Sequence, residues 1–178
     1  MIKIGQDVRI DDSAKITRPH LAIIGNHVAI DYSFYCTTQL SIGDYVHISS
    51  HCSVIGGTGG KLTIEDFVFI SSGTRIVCGS DNMLGDGIVG PFIPDKYKDK
   101  QTIGEVTFKR FSGAAVNSII LPNVVLAEGS VLGANSLLKE STEPWTIYVG
   151  SPAKPIKKRK SEKIYQYAKE MGYDYARL

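Results

Sequence analysis

Large aliphatic residues recur at every sixth position along most of the chain. A helix returns apolar side chains after three or four positions, and a half-buried strand returns them after two, so neither element explains this spacing. The period therefore indicates very short strands separated by regular corners. The repeated anchor positions are Ile4, Ile10, Ile16, Ile24, Ile30, Cys36, Ile42, Ile48, Val54, Ile64, Ile70, Ile76, Phe108, Ala114, Ile120, Leu126, Leu132 and Leu138.

A second restricted position follows each anchor by four residues and holds medium or small side chains. Between the two positions lie Gly, Asp, Asn, Glu and Ser, which are residues that form tight corners. Self-similarity at a hexapeptide period is a recognised signature of a β-helix. The second positions are Val8, Ala14, Val28, Phe34, Leu40, Val46, Cys52, Val68, Thr74, Ser112, Ser118, Val124, Ser130 and Ser136.

Three hexapeptides make one triangular coil of about eighteen residues, in which the anchors stack on those of the next coil. This column of aliphatic side chains replaces the core of a globular domain. Backbone N–H and C=O groups pair from coil to coil, so strand edges are exposed only at the two ends. We predict an all-β solenoid in which residues 1–142 form a β-helix domain.

Three segments interrupt the repeat. A small glycine loop, GGTGG, occupies residues 56–60, and a long excursion rich in proline and aromatic residues occupies 78–105. The excursion is too long for a plain connector, so we expect an ordered inserted arm. The third segment, residues 143–178, is predicted to be a C-terminal extension with a short α-helix that Ser161 caps and Gly172 ends.

Composition narrows the classes of function. The chain of 178 residues fits one domain, and its net charge of +2 gives no reason to expect nucleic acid as a partner. The N-terminal residues lack the features of a signal peptide, and no apolar run is long enough to span a bilayer. Cys36 and Cys52 fall on buried repeat positions, where we expect free thiols rather than disulfides. These features favour a soluble cytoplasmic protein.

Three features together resemble the left-handed β-helix acyltransferases. They are the hexapeptide register, the arm that follows the coil of Ile76, and the ending VGSPAK at 149–154. The resemblance covers nearly the whole chain and points to the bacterial sugar O- and N-acetyltransferases found in surface-polysaccharide gene clusters. It implies a left-handed parallel β-helix and a homotrimer of three prisms side by side. The arm then reaches toward a neighbouring subunit.

The same resemblance implies acetyl-CoA as co-substrate, bound in the groove between two neighbouring prisms. Basic side chains after the last coil become candidates for the CoA phosphates, although a basic run is more commonly a solvated surface segment. Backbone N–H groups at small corner residues would hold the thioester or the pantetheine chain. The phosphate candidates are Lys154, Lys157, Lys158 and Arg159, and the corner candidates are Ala115, Gly133 and Ala134.

The position of the catalytic base departs from the family pattern. In the galactoside acetyltransferases a histidine stands three residues after an aliphatic anchor, on the coil just past the arm. Here Asn117 stands three residues after Ala114. Asparagine cannot accept a proton, but it can orient an acceptor or stabilise an oxyanion. One interpretation is therefore N-acetylation of an amino group on a nucleotide-linked deoxy amino sugar, because an amine attacks a thioester without a strong base.

A second interpretation gives the chain a different base and a hydroxyl acceptor. His51 stands three residues after Ile48, in the same corner register as Asn117, and His47 ends the preceding repeat. Either imidazole could accept the proton of a sugar hydroxyl in O-acetylation. A surface histidine without a role is an equally reasonable interpretation of His51.

The arm offers candidates for binding the acceptor. Asp81 and Asn82 open the arm and could hydrogen-bond sugar hydroxyls, although Ser-Asp-Asn is also good turn chemistry. Tyr97 is the aromatic candidate further along the arm. We expect a small-molecule sugar acceptor at these residues.

Two other classes share a β-helical repeat. A γ-class carbonic anhydrase binds zinc through three histidines from two neighbouring subunits, but no histidine follows His51 in this chain. We therefore expect no metal, which a zinc assay would check. Ice-binding and scaffolding solenoids show ladders of Thr-x-Thr on one flat face, and this sequence has none. Binding of CoA would separate an enzyme from such a scaffold.

Overall fold

The computed structural model describes residues 1–175, in which short parallel strands stack into a β-solenoid of about seven turns. The prediction of an all-β solenoid is confirmed. Three parallel sheets form the faces of the prism, and a fourth, two-stranded sheet lies in the inserted arm.

Each face of the prism takes one strand from each successive coil. The first sheet contains Lys3–Ile4, Ala22–Ile24, Gln39–Ile42, Lys61–Ile64, Glu105–Phe108 and Val125–Leu126. The second sheet contains Arg9–Ile10, Ala29–Ile30, His47–Ile48, Phe69–Ile70, Gly113–Ala114, Val131–Leu132, Thr146–Gly150 and Ala153–Lys158. The third sheet contains Lys15–Ile16, Tyr35–Cys36, Ser53–Ile55, Arg75–Val77, Ile119–Ile120 and Leu137–Leu138.

The anchor positions form the core, as the sequence predicts. In the first sheet Ile42, Ile64 and Phe108 are successive register partners, so equivalent anchors lie one above another. Every anchor from Ile24 to Leu138 is buried, whereas Ile4 is 51% exposed because it belongs to the first coil. Burial of a large aliphatic side chain contributes about 1.5–3 kcal/mol, and the stacked columns repeat this contribution from coil to coil.

Three edges separate the sheets. We call the edge between the first and second sheets the first edge, that between the second and third sheets the second edge, and that between the third and first sheets the third edge. Corner residues with positive φ recur along the first and second edges, including many that are not glycine.

The inserted arm leaves the solenoid at the third edge. It begins and ends with an antiparallel hairpin, in which Gly79–Asp81 pairs with Gln101–Ile103. A turn of 3-10 helix at Asp95–Tyr97 lies within it, and another turn, at Pro19–Leu21, lies at the same edge in the first coil. Several large apolar side chains of the arm are exposed, and they include Met83, Leu84, Ile88, Val89 and Phe92.

The chain stays part of the second sheet beyond residue 142. Thr146–Gly150 pairs in parallel with the preceding coil, and Ala153–Lys158 then pairs with it in the antiparallel sense. The helix runs over Glu162–Glu170, but the side chain of Ser161 makes no cap hydrogen bond, contrary to expectation. Residues 176–178 of the predicted extension lie outside the described residues, and the division at residue 142 stays a prediction.

Aromatic rings stack along the first edge. Tyr45 and Phe67 have centroids 5.1 Å apart, Phe67 and Phe111 are 5.3 Å apart, and Phe111 and Trp145 are 6.0 Å apart. All four residues have positive φ, between 51° and 61°, which is unusual for bulky side chains. We call these four residues the aromatic column. Its ring contacts stabilise a corner conformation that isolated aromatic residues rarely adopt.

The C-terminal segment folds back over this column. The rings of Tyr173 and Tyr175 meet Phe67 edge-on, at 5.1 and 6.4 Å, and Tyr165 meets Phe111 in the same way at 5.7 Å. The described end of the chain therefore covers the first edge.

Candidate functional site

The second edge carries two of the three predicted catalytic residues, Asn117 and His51, in one column. His51, Gly73, Asn117 and Asn135 occupy equivalent corners of successive coils, and all four have positive φ. Each backbone N–H donates to a carbonyl oxygen of the coil before it; that of Asn117, for example, donates to Ser72 at 3.0 Å. The structure therefore places Asn117 and His51 on the same edge, two coils apart.

Asn117 is exposed, and its amide lies over Gly73. A Cβ at residue 73 would overlap the amide oxygen of Asn117, so the glycine leaves the space that this side chain occupies. The positive φ of Asn117, 58°, suits asparagine better than most residues. The result is a polar amide on the outside of the solenoid, over Gly73.

His51 is engaged by a tyrosine of the preceding coil. Its Nε2 lies 3.1 Å from the hydroxyl of Tyr32, and the two rings meet edge-on at 4.7 Å. Arg75 donates through Nη1 to the backbone carbonyl oxygens of His51 and Gly73, at 2.5 and 2.8 Å. Arg75 thus ties neighbouring corners of this edge together.

His47 lies on the outer face of the second sheet and pairs with a carboxylate. Its Nε2 is 2.9 Å from Oδ2 of Asp31, whose Oδ1 accepts a hydrogen bond from Arg9 at 3.1 Å. The carboxylate orients the imidazole, which is the arrangement that supports a general base. About half of the His47 side chain is exposed, so the ring is accessible.

The backbone N–H groups predicted to hold a thioester are mostly in use. The N–H of Ala115 donates to Leu132 at 2.8 Å, and that of Gly133 donates to Tyr148 at 2.7 Å, as part of the coil-to-coil ladder. The expectation that these two groups are open to a ligand is therefore wrong. Ala134 is exposed at the same edge, and among the described residues no hydrogen-bond acceptor is assigned to its N–H.

A cleft of about 470 Å³ lies where the arm leaves the solenoid. Its walls are the glycine loop at 56–59 and the hairpin of the arm. Asp81 lines this cleft, and its Oδ1 accepts a hydrogen bond from Gln101 at 2.8 Å. The cleft joins a carboxylate to an open rim of small residues, which is a suitable shape for a polar ligand.

The other two arm candidates lie outside this cleft. Asn82 is half-buried, and its N–H donates to the carbonyl of Lys100 at 2.7 Å. Tyr97 is exposed, with the ammonium of Lys96 4.6 Å from its ring centroid. Sequence reasoning identified the glycine loop as a break in the repeat but did not assign it to a site. Its run of four glycines in five residues was the available signal.

In the basic segment after the last coil, two candidate side chains are exposed on a strand, and the other two make hydrogen bonds within the protein. Lys154 and Lys157 are exposed on the strand Ala153–Lys158. The ammonium of Lys158 lies 2.7 Å from the hydroxyl of Thr146 and 3.1 Å from a carboxylate oxygen of Glu143. Arg159 is half-buried and donates to two backbone carbonyls, and burial lowers its pKa from the ordinary value. Its side chain thus faces the solenoid and is committed to backbone oxygens.

The predicted site residues therefore lie in four places within one chain. Asn117, His51 and the corner residues follow the second edge, and His47 lies on the outer face of the second sheet. The arm residues lie at the third edge, and the basic strand ends near the first edge. No group of three His, Cys, Asp or Glu side chains suited to a metal occurs among residues 1–175. Within the same residues, no helix combines the length and apolar character needed to cross a membrane.

Comparison with curated proteins finds relatives that act as acyltransferases. The chain is 36% identical over 166 residues to the dTDP-4-amino-4,6-dideoxy-D-glucose acyltransferase of Escherichia coli, covering 92% of this chain and 84% of the relative. It is 31% identical over 135 residues to the lipopolysaccharide biosynthesis O-acetyl transferase WbbJ of Escherichia coli K12, covering 75% and 65% of the two chains. No family model matches the chain.

Solved structures of AntD, an N-acyltransferase from Bacillus cereus, have the same fold. The complex of AntD with dTDP and 3-hydroxybutyryl-CoA is 36% identical, with a TM-score of 0.88 over 96% of this chain and 91% of that one. A variant of AntD in complex with dTDP-4-amino-4,6-dideoxyglucose and coenzyme A is 35% identical, with a TM-score of 0.89 over 96% and 90% of the two chains.

Proposed function

Because this chain belongs to the hexapeptide-repeat acyltransferase family, we propose that it acetylates the amino group of a nucleotide-linked deoxy amino sugar. The donor is acetyl-CoA, and the product enters surface-polysaccharide biosynthesis in the cytoplasm. The proposal is supported by similarity to the dTDP-amino-sugar acyltransferase and to AntD with its bound nucleotide sugar and coenzyme A.

The observation that carries the proposal is the amide of Asn117. It stands at the corner that corresponds to the histidine of the galactoside acetyltransferases, which the sequence resembles, and it lies over Gly73. An amide can donate to a developing oxyanion or orient the incoming amine, but it cannot remove a proton from an alcohol. An amine acceptor fits this site better than a hydroxyl acceptor.

The chemistry of the step is simple. The neutral amine nitrogen attacks the thioester carbonyl, a C–N bond forms, and the C–S bond breaks. The proton lost by the nitrogen ends on the sulfur of coenzyme A, which leaves as a thiol. The enzyme contributes mainly by holding the unprotonated amine close to the thioester, since well-oriented reactants gain large rate factors.

We assign the acceptor to the cleft beside the arm. Asp81 lines this cleft, and Asn82 and Tyr97 lie along the arm that extends from it. A carboxylate and an amide at the start of the arm suit the hydroxyl and amino groups of a sugar. Their assignment is supported by the position of the cleft at the root of the arm.

We assign the donor to the small corners of the second edge and to the basic strand. Lys154 and Lys157 are exposed and carry the phosphate-binding proposal, because Lys158 and Arg159 have protein partners. Ala134 offers an N–H for the thioester or pantetheine, while Ala115, which carries only a methyl group, and Gly133, which has no side chain, leave room for the ligand to approach closely.

The separation of these parts supports the homotrimer that we propose. The arm leaves at the third edge and Asn117 lies on the second edge, so in one chain the third sheet stands between them. Exposed apolar side chains on the arm, such as Met83, Leu84 and Phe92, suit contact with a neighbouring copy. We propose that the arm of one copy meets the second edge of the next, where donor and acceptor come together.

O-acetylation of a sugar hydroxyl is the second candidate. It is favoured by the pairing of His47 with Asp31 and by similarity to an O-acetyl transferase. Incubation with acetyl-CoA and two panels of acceptors, nucleotide-linked amino sugars and simple glycosides, separates the candidates through release of free thiol. Thiol release with the amino sugars alone supports N-acetylation, and release with the glycosides alone supports the histidine-dependent reaction.

A further inference from the structure

Arg159 holds three successive coils at the first edge. Its Nη1 donates to the carbonyl oxygens of Gly129 at 2.6 Å and of Phe111 at 3.1 Å, and its own N–H donates to the carbonyl of Trp145 at 2.7 Å. We propose that Arg159 is a positioning residue, which fixes the basic strand Ala153–Lys158 against the last coils.

The three carbonyls belong to equivalent corners. Phe111, Gly129 and Trp145 all have positive φ, and each backbone N–H bonds to the coil before it, so the ladder uses the N–H groups. The carbonyl oxygens then need donors, since a polar backbone group shielded from water is costly without a partner. One guanidinium nitrogen carries two hydrogens, and here it serves two carbonyls of two coils. A lysine ammonium lacks this planar geometry.

The packing of Trp145 completes the arrangement. A Cβ at Gly129 would overlap the indole ring, so the glycine allows Trp145 to reach across its coil toward Phe111. The guanidinium carbon of Arg159 lies 5.7 Å from the indole centroid. Gly129, Trp145 and Arg159 therefore form one unit, in which the position of the indole and that of the arginine depend on each other.

Apart from Arg159, the basic strand is held by its pairing with one neighbouring strand and by the contacts of Lys158 with Glu143 and Thr146. It is the last strand of the second sheet and pairs only with Thr146–Gly150, with a shift of register between Ile147 and Tyr148. Five of its six residues are exposed, so burial contributes little to its position. Arg159 follows the strand directly and anchors its end. The directions of Lys154 and Lys157 depend on that anchor.

The functional part of this inference rests on the proposed contact of Lys154 and Lys157 with the CoA phosphates. The test is Arg159→Lys, which keeps the positive charge and removes the planar guanidinium group with its several N–H donors. We expect the KM for acetyl-CoA to rise about tenfold, the effect of losing a hydrogen bond of a charged group, while kcat changes by less than about twofold. Amide hydrogen exchange over residues 153–158 becomes faster. The matched control, Lys160→Gln, removes a neighbouring charge and changes neither quantity.

A second variant perturbs the same group of residues, Gly129, Trp145 and Arg159, at the glycine. Gly129→Ala places a Cβ against the indole, and we expect the same rise in KM and the same faster exchange, with melting temperatures showing that the variants remain folded. If Arg159→Lys keeps both the KM and the exchange rates of the parent protein, the positioning role is overturned. If Arg159→Gln raises KM while Arg159→Lys does not, charge matters rather than geometry, and the role is likewise overturned.

The lysine variants separate this inference from the proposed function. Lys154→Ala with Lys157→Ala removes the proposed phosphate ligands without disturbing Arg159. An unchanged KM for acetyl-CoA in that double variant refutes the phosphate contact. The exchange rates of residues 153–158 in Arg159→Lys still decide whether Arg159 positions the strand.

Discussion

The hydroxyl of Tyr175 donates a hydrogen bond of 2.6 Å to Oδ2 of Asp66, and Tyr173 makes the equivalent bond of 2.7 Å to Asp44. The two aspartates also accept backbone N–H groups of the preceding coil through Oδ1. Each tyrosine therefore joins the C-terminal segment to a corner that is already tied to its neighbour. We call these two bonds the tyrosine clasp.

Removal of one hydroxyl from the tyrosine clasp should weaken the first edge. Tyr175→Phe keeps the ring against the aromatic column and loses only the bond to Asp66. We expect a loss of about 1 kcal/mol, equivalent to about 2–4 °C in melting temperature for a chain of this size. Thermal unfolding followed by circular dichroism measures it. Tyr167→Phe is the control, because Tyr167 is exposed on the helix, and an equal effect there would contradict the assignment.

The clasp also predicts a loss of stability in alkaline solution. The hydrogen bond to Asp44, together with burial, raises the pKa of Tyr173 to about 12, and burial with the bond to Asp66 raises the pKa of Tyr175. An unfolded tyrosine titrates near pH 10, so the contribution of the clasp is complete below about pH 10 and is lost as the pH rises toward 12.

The measurement is the melting temperature between pH 8 and about pH 11, for the parent protein and for the double variant Tyr173→Phe, Tyr175→Phe. We expect the parent to lose stability more steeply above about pH 10 than the double variant does. Parallel curves for the two proteins would show that these hydroxyls do not contribute.

The amide of Asn117 should matter for catalysis and not for folding. Asn117→Gly removes the side chain and keeps a residue that accepts the positive φ of 58°. If the amide stabilises an oxyanion or orients the amine, kcat falls about 100-fold. Asn135→Gly is the matched control on the next coil, and we expect near-parent rates from it. If the two variants lose the same activity, Asn117 supports the conformation of the corner and takes no part in the reaction.

The two histidines should be dispensable for transfer to an amine. His51→Asn suits the positive φ of that corner, and His47→Gln breaks the pair with Asp31. A general base contributes about 10²–10⁴ in rate, so a loss of that size with an amino-sugar acceptor would identify a catalytic histidine. We expect both variants to keep most of the parent kcat with the amine acceptor.

Much of the fold was accessible from the sequence because the hexapeptide repeats the same local constraint. Each anchor must face inward and each corner must turn, so the period alone predicts buried positions from Ile24 to Leu138. The aromatic column was also visible in principle. Tyr45, Phe67 and Phe111 each follow an anchor by three residues, at the same offset that led to Asn117.

The site was less accessible because it depends on contacts between distant parts of the chain. Whether the N–H of Ala115 is hydrogen-bonded depends on how the next coil stacks against it. That contact is seen in the structure and not in the sequence. Arg159 belongs to a basic run in the sequence, yet it reaches carbonyls 30 and 48 residues away. In the sequence, an arginine within a run of lysines gives no indication that it contacts distant backbone carbonyls.

The most direct test of the central claim compares one acceptor with an amino group and one with a hydroxyl at the same carbon. Purified protein receives acetyl-CoA and either dTDP-4-amino-4,6-dideoxyglucose or the matching dTDP-6-deoxyglucose, and kcat/KM is measured by thiol release. We predict efficient transfer to the amine, an amide product by mass spectrometry, and negligible transfer to the hydroxyl sugar. Equal or faster transfer to the hydroxyl sugar would contradict the claim that Asn117 serves a base-free N-acetylation.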